Sequence, residues 1–180
     1  MSPGDPSVRD EAVVAYVALG GNLGDVLATF RGALDVMPAH GLDVRAVSSA
    51  YRTEALVAEE ARDPVPDYWN AVCDVSTRLT PAAVLAALQV IELRFGRVRR
   101  ERWASRTLDL DLLLFGDQRI REPGLVVPHP GLTERVFVLR PLCELAPRHV
   151  VPGRGVTVAE ALGRLDPSAG VKEIASNWRP

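Results

Sequence analysis

Apolar and polar positions change period several times along this chain, and each change marks an element. "AVVAYVALGG" (12–21) is rich in β-formers and closes on paired glycines, which predicts a strand running into a tight turn. From Asp25 the period lengthens: Leu27, Phe30, Leu34 and Met37 recur at helical spacing, and Pro38 ends the helix. Residues 42–53 read as a strand ending in "YRT", and "YWNAVCDVSTRL" (68–79) alternates as another. Between them "EALVAEEARDPVPD" (54–67) has no period and two prolines, a loop long enough to suspect a function. Thr80 followed by Pro81 is a strong helix start, an N-cap before a proline at the first helical position. Val84, Leu88, Ile91 and Phe95 form the apolar stripe of that helix, which ends near Gly96.

"RTLDLDLLLFGD" (106–117) alternates leucine with aspartate and predicts a strand, turning at Gly116-Asp117 into a short partner strand around 118–121. "RVFVLRPL" (135–142) reads as another short strand, and Thr157 with Glu160 resembles a capping box opening a short terminal helix. The order β-α-β-β-α-β is the ferredoxin-like arrangement. The expected fold is therefore α+β, an antiparallel sheet with helices packed on one face, plus C-terminal additions. That fold hosts many functions and decides none. The polar opening "MSPGDPSVRDEA" (1–12) lacks the apolar run of a signal peptide and is expected to be a flexible tail, leaving 13–180 as one domain.

Composition narrows the function classes. The 180 residues are 47% hydrophobic and 24% charged with a net charge of −2, so no global basic field points to nucleic acid or membrane. No apolar stretch approaches a membrane span, and the expectation is a soluble, cytoplasmic monomer. Cys73 and Cys143 have no metal-type spacing, and Cys73 reads as a small buried thiol in a strand.

The chemistry concentrates in one stretch. Strand alternation puts Asp109 and Asp111 on one face and Leu108, Leu110 and Leu112 on the other. Two residues of rise separate the carboxylates by roughly 6.6 Å. At an effective dielectric near 20 they repel by about 2.5 kcal/mol. Mg²⁺ bound to phosphate oxygens would offset that; a solvated face with nothing bound is the other reading. Just upstream, "RFGRVRRERWASR" (94–106) holds six arginines, one acid and Trp103. A charge run is often only a solvated face. Arginine's planar fork nevertheless suits phosphate, and its position beside two aspartates describes a metal–nucleotide site.

No P-loop occurs, so side chains would hold the phosphates. "GGNLGD" (20–25) is explained by a turn between strand and helix. Tyr68 with Asn70, and Arg135 with Phe137, each share a strand face, and two aromatic–polar pairs suit a planar heterocycle, although each pair alone is ordinary core and surface. His129 in "VPHPG" either contacts phosphate or fixes a proline-flanked turn.

Taken together, "LGGNLGD", "YRTEAL", "DYWNAV", "IELRFGRVR", "RWASRTLDLDLLLFGD" and "VPHPGLTERVFVLRPL" resemble, in order, the 6-hydroxymethyl-7,8-dihydropterin pyrophosphokinases of folate biosynthesis, from about Val13 to Pro147. The resemblance implies transfer of pyrophosphate from ATP to the hydroxymethyl group of the reduced pterin, releasing AMP. It implies that Asp109 and Asp111 bind two Mg²⁺ ions and that Arg99 and Arg106 contact phosphates. Gln89, Glu92, Leu112, His129 and Arg135 would help hold ATP. The pterin would lie between Tyr68 and Phe137, with Asn70 and the backbone near Thr53 and Leu56 reading its polar edge, and Trp103 would close over the site. Glu54 stands where relatives often carry proline, Ala104-Ser105 where Gly-Pro is common, and Gly124 and Val126 replace polar residues, with Arg121 nearby as a substitute.

Two other readings compete. One is a single-stranded RNA module using the arginine run and sheet aromatics, which lacks the RNP aromatics and leaves the aspartates unexplained. The other is a pterin- or nucleotide-binding regulatory domain without turnover.

Overall fold

The computed structural model describes residues 7–54, 66–96, 106–166, 171–176 and 178. Its framework is a six-stranded sheet. β1 (Val8–Gly21) leads to α1 (Val26–Val36), whose first turn is capped by the Asp25 carboxylate accepting from Ala28 N–H at 3.0 Å. Next come β2 (Asp43–Val47), β3 (Ala50–Thr53) and β4 (Tyr68–Leu79). Thr80 caps α2 (Pro81–Arg94), and β5 (Asp109–Phe115) completes the βαββαβ core. The sheet order is β5-β1-β4-β3, antiparallel at each step, with β2 also on β4. This is the expected ferredoxin-like α+β arrangement.

Alternation sorts the side chains onto two faces. Val17, Leu19, Cys73, Val75, Leu110 and Leu112 pack with Phe30, Leu34, Leu88 and Ile91 of α1 and α2. Each such buried aliphatic stabilises by about 1.5–3 kcal/mol. On the other face Val72, Leu113 and Leu114 meet Leu139 and Leu142 from α3 (Val136–Leu145), and α4 (Val158–Gly163) adds Val158 and Ala161 to that second core. The α3 layer covers only part of its face and leaves the N-terminal end of β5 with polar side chains.

Several expectations need correcting. Residues 135–142 are not a strand: Val136–Leu145 is helical even though Pro141 lies inside it. Pro141 has no N–H for the carbonyl of Phe137, which argues locally against a helix; burial of Val136, Val138, Leu139 and Leu142 overrides that. The strand after Gly116 is Ile120–Glu122 (β6), and it pairs with Leu125–Val127 (β7) rather than with β5. The expected tail ends early, because β1 starts at Val8, which pairs with Leu79. Backbone ladder bonds need no apolar alternation, and Arg78 adds a bond to Asp10 O at 2.8 Å. The strand of residues 42–53 breaks at Ser48, a buried residue whose hydroxyl accepts from Val72 N–H at 2.9 Å. The last strand, β8 (Val171–Ala175), pairs with β3, and Trp178 beyond it is buried against Phe30 and donates to Ser48 O at 2.9 Å.

Candidate active site

The sheet register builds a row of functional groups. Gly20 of β1 pairs with Asp109 on one side and Asn70 on the other, and Tyr51 of β3 lies next to Asn70. One pair along, Ala18 lies between Asp111 and Val72. Directly paired residues share a face, so both aspartates look out on the α3 side. Two strand spacings set Asp109 and Asn70 about 10 Å apart. Gly20 has no side chain to fill that interval, which makes a trough between a carboxylate pair and an amide.

The carboxylate end is held from several directions. Asp109 Oδ2 accepts from the guanidinium of Arg106, three residues earlier. Asn22 anchors Arg106 in turn: Asn22 N–H donates to Arg106 O at 3.0 Å and Arg106 N–H to Asn22 Oδ1 at 2.8 Å. Asn22 Nδ2 also donates to Pro66 O at 3.2 Å, joining the entry to β4 to the entry to β5. Glu92 of α2 is buried, and its Oε1 accepts from Leu110 N–H at 2.7 Å. That bond caps β5 along its open edge. Gln89, one turn earlier on α2, is half-buried.

His129 N–H donates to Leu113 O at 2.9 Å, which lays the segment after β7 along the same edge. Its Nδ1 accepts from Gly131 N–H at 3.2 Å, so the neutral ring carries its hydrogen on Nε2. Burial holds the imidazole pKa below its ordinary value; the nearby Asp111 charge opposes that, Arg135 reinforces it, and Asp109 opposes it more weakly. His129 is thus a neutral donor beside the carboxylates.

At the amide end, Asn70 Nδ2 donates to Thr53 Oγ1 at 2.9 Å, and Thr53 pairs with Tyr68. Tyr68, Asn70 and Thr53 therefore share the trough's face. Phe137, on the first turn of α3, carries the Arg135 guanidinium 5.9 Å from its ring centre, a cation–π contact. Leu112 differs from the rest: its side chain is buried with the α1–α2 core, which leaves only its backbone for a ligand. Arg99, Trp103 and Leu56 lie outside the described residues.

Local sequence does not reveal Gly20 or Asn22 as parts of this site. An isolated glycine in a strand pattern can mark a close backbone approach, but the pair beside Asn22 reads equally well as a turn. Among the described residues no group of three or more His, Cys, Asp or Glu could cage a metal. Two hard carboxylates on one open face instead fit a cation that takes its other ligands from phosphate and water. No helix among the described residues is long and apolar enough to cross a membrane.

The family model for 7,8-dihydro-6-hydroxymethylpterin-pyrophosphokinase (HPPK) matches residues 16–147. The chain is 40% identical over 156 residues to the 2-amino-4-hydroxy-6-hydroxymethyldihydropteridine pyrophosphokinase of Synechocystis sp., covering 86% of this chain and 77% of that one. It is 40% identical over 162 residues to the protein of the same name from Methylorubrum extorquens, covering 89% and 98%. In shape it is similar to Plasmodium falciparum HPPK-DHPS, with a TM-score of 0.72 at 13% identity over 91% of this chain and 48% of that longer one. At that identity the likeness speaks for the fold alone.

Proposed function

The chain belongs to the 7,8-dihydro-6-hydroxymethylpterin-pyrophosphokinase family, diphosphotransferases of folate biosynthesis that use ATP, and we propose a division of labour for its residues along the Asp109–Gly20–Asn70 row. Asp109 and Asp111 would hold two Mg²⁺ ions, whose contribution is neutralisation of the triphosphate charge. Arg106, paired with Asp109, is within reach of the same phosphates, and Arg99 joins it from the arginine run. His129, neutral with its hydrogen on Nε2, donates to a phosphate oxygen, and Arg135 adds charge beside it.

The ATP base and ribose lie along the open edge of β5. Leu112 N–H points to the same side as that of Leu110 by strand alternation. Gln89 and Glu92 flank that edge from α2, and part of the Glu92 carboxylate is already engaged by the strand. The pterin lies between Tyr68 and Phe137, with Asn70, Thr53 and the backbone near Leu56 reading its polar edge, and Trp103 covers the assembly. Its hydroxymethyl oxygen then faces the trough over Gly20 and attacks the β-phosphorus in line; the bond from that phosphorus to the α,β-bridging oxygen breaks, AMP leaves, and the hydroxyl proton passes to solvent. Catalysis is positioning and charge neutralisation, with no dedicated base. The protein works as a monomer in the cytoplasm, where ATP is supplied.

The observation that carries this reading is the single row in which Gly20 separates a carboxylate from an amide on one face. Release of AMP from ATP and 6-hydroxymethyl-7,8-dihydropterin tests it. AMP formed only with pterin and Mg²⁺ together is expected. ADP would mean transfer of one phosphoryl group, and no nucleotide product with pterin bound would mean a pocket without turnover; either result refutes the reading.

A further inference from the structure

Both oxygens of the Glu144 carboxylate on α3 are engaged from β3 and the residue just before it. Ser49 donates to Oε2 twice, from its N–H at 2.9 Å and its hydroxyl at 3.1 Å, and the Tyr51 hydroxyl donates to Oε1 at 2.6 Å. Ser49 and Tyr51 are buried, whereas Glu144 sits at the exposed rim of its helix. Tyr51 is the cross-strand neighbour of Asn70, and Asn70 is oriented by its bond to Thr53. Phe137 lies seven residues before Glu144 on the same helix, nearly two full turns, so both side chains leave α3 on one side.

We propose that Glu144 is a positioning residue for pterin selection: through Tyr51 and Ser49 it fixes where α3 sits on the sheet, and with it the gap between Phe137 and the Tyr68–Asn70 face. Apolar contacts of Leu139 and Leu142 with Val72 and Leu113 hold the helix down, but the hydrophobic effect has no direction and tolerates sliding. Three hydrogen bonds to one carboxylate do have direction, and bonds to a charged acceptor are the stronger kind. A stacking slot needs such a constraint, because its affinity depends on a plane-to-plane spacing that helix sliding would change. ATP is held mainly from β5 and α2 on the far side of the trough, with Arg135 its one proposed contact at the start of α3, and so depends far less on that spacing. The inference rests on the proposed pterin position between Tyr68 and Phe137.

Dissociation constants of the pterin and of a non-hydrolysable ATP analogue with Mg²⁺, measured on the full chain, test it in Tyr51→Phe, Glu144→Gln and Tyr68→Ala. Tyr51→Phe removes one hydroxyl without opening a cavity and decides the question even where Glu144→Gln folds poorly. Tyr51→Phe and Glu144→Gln are each expected to weaken pterin binding roughly tenfold, with ATP-analogue binding changed less than about twofold. The double variant should lose no more than the larger single effect, since both cut one link. Unchanged pterin affinity in Tyr51→Phe, or parallel loss of both ligands, overturns the positioning role. Tyr68→Ala separates the two levels: if it weakens pterin binding while Tyr51→Phe does not, only the Glu144 inference falls. If Tyr68→Ala binds pterin normally, the pocket itself is wrong and the inference falls with it.

Discussion

A side-chain carbon on Gly21 would come within 2.7 Å of the carbonyl oxygen of Thr107. That oxygen is backbone and cannot swing aside, so Gly21 is what lets the start of β5 approach the end of β1. One residue earlier the situation differs. A carbon on Gly20 would lie 3.6 Å from Asp109 Cβ and 3.8 Å from Asn70 Oδ1, ordinary contact distances. Gly21→Ala should therefore lower the thermal midpoint by several degrees, as steric clashes of this kind cost about 1–3 kcal/mol. Gly20→Ala should leave the midpoint nearly unchanged and still reduce kcat/KM by about tenfold or more, because the methyl stands in the trough between the carboxylates and the amide. Melting curves and steady-state rates on both variants check the contrast. Equal destabilisation by the two would refute it.

Asn22 is 4% exposed and makes side-chain bonds to the chain at Arg106 and at Pro66. Asn22→Ala strands Arg106 N–H and should cost about 1–3 kcal/mol in denaturant unfolding. Asn22→Asp keeps the acceptor for Arg106 but turns a nearly buried carboxylate oxygen toward Pro66 O, so at neutral pH it should cost at least as much. A smaller loss in the aspartate variant would mean that the Arg106 bond alone anchors this corner.

How much of this was legible in the sequence depends on distance along the chain. Alternation in "LDLDL" gave away the shared face of Asp109 and Asp111, because a strand's period of two is a local property. The helices ending at Arg94 and beginning at Val158 announced themselves through Thr80 and Thr157, which cap their own first turns. Val136–Leu145 reads locally as a strand, since its β-branched and proline content argues against the helix that tertiary burial imposes. Trp178 could not be assigned at all: its partner Ser48 is 130 residues away. Glu144 reaches Ser49 and Tyr51 over comparable separations and carries no local signature. Gly20 was legible as glycine and illegible as a trough, because that role is defined by Asp109 and Asn70 arriving on either side.

The capping box of α4 provides a pH test away from the site. Glu160 Oε2 accepts from Thr157 N–H at 2.8 Å, and Glu160 N–H donates to Thr157 Oγ1 at 3.2 Å. The Thr157 backbone bond chiefly, helped by its side chain and by Arg164, holds the Glu160 carboxyl below its ordinary 4.5. With the folded pKa below the unfolded one, the charged form contributes stability above about pH 4.5, and that contribution disappears as pH falls through the lowered value. Glu160→Gln retains an acceptor for Thr157 and removes the titration. Thermal midpoints of the two proteins should differ at neutral pH and converge as pH falls through that lowered value in acid titration. A constant difference down to pH 2 would refute the linkage.

Asp111 and Arg106 carry opposite charges toward the same proposed phosphates, so their substitutions should fail in different ways. Asp111→Asn keeps the shape of the side chain and removes its charge. Turnover should fall on the order of a thousandfold, as for loss of a principal electrostatic contact. Excess Mg²⁺ should not restore it, since the lost element is a ligand rather than occupancy. Arg106→Ala should slow the chemical step about a hundredfold. It should also weaken ATP binding more steeply at low salt, where the charge of a half-buried guanidinium reaches furthest. Arg106→Lys should recover part of the binding, which needs only charge, and little of the rate, which needs the planar fork set by the Asp109 pair. Single-turnover rates across a Mg²⁺ series separate the cases. Full activity of Asp111→Asn at any Mg²⁺ concentration would remove Asp111 from the metal site, and complete rescue by Arg106→Lys would reduce Arg106 to a point charge.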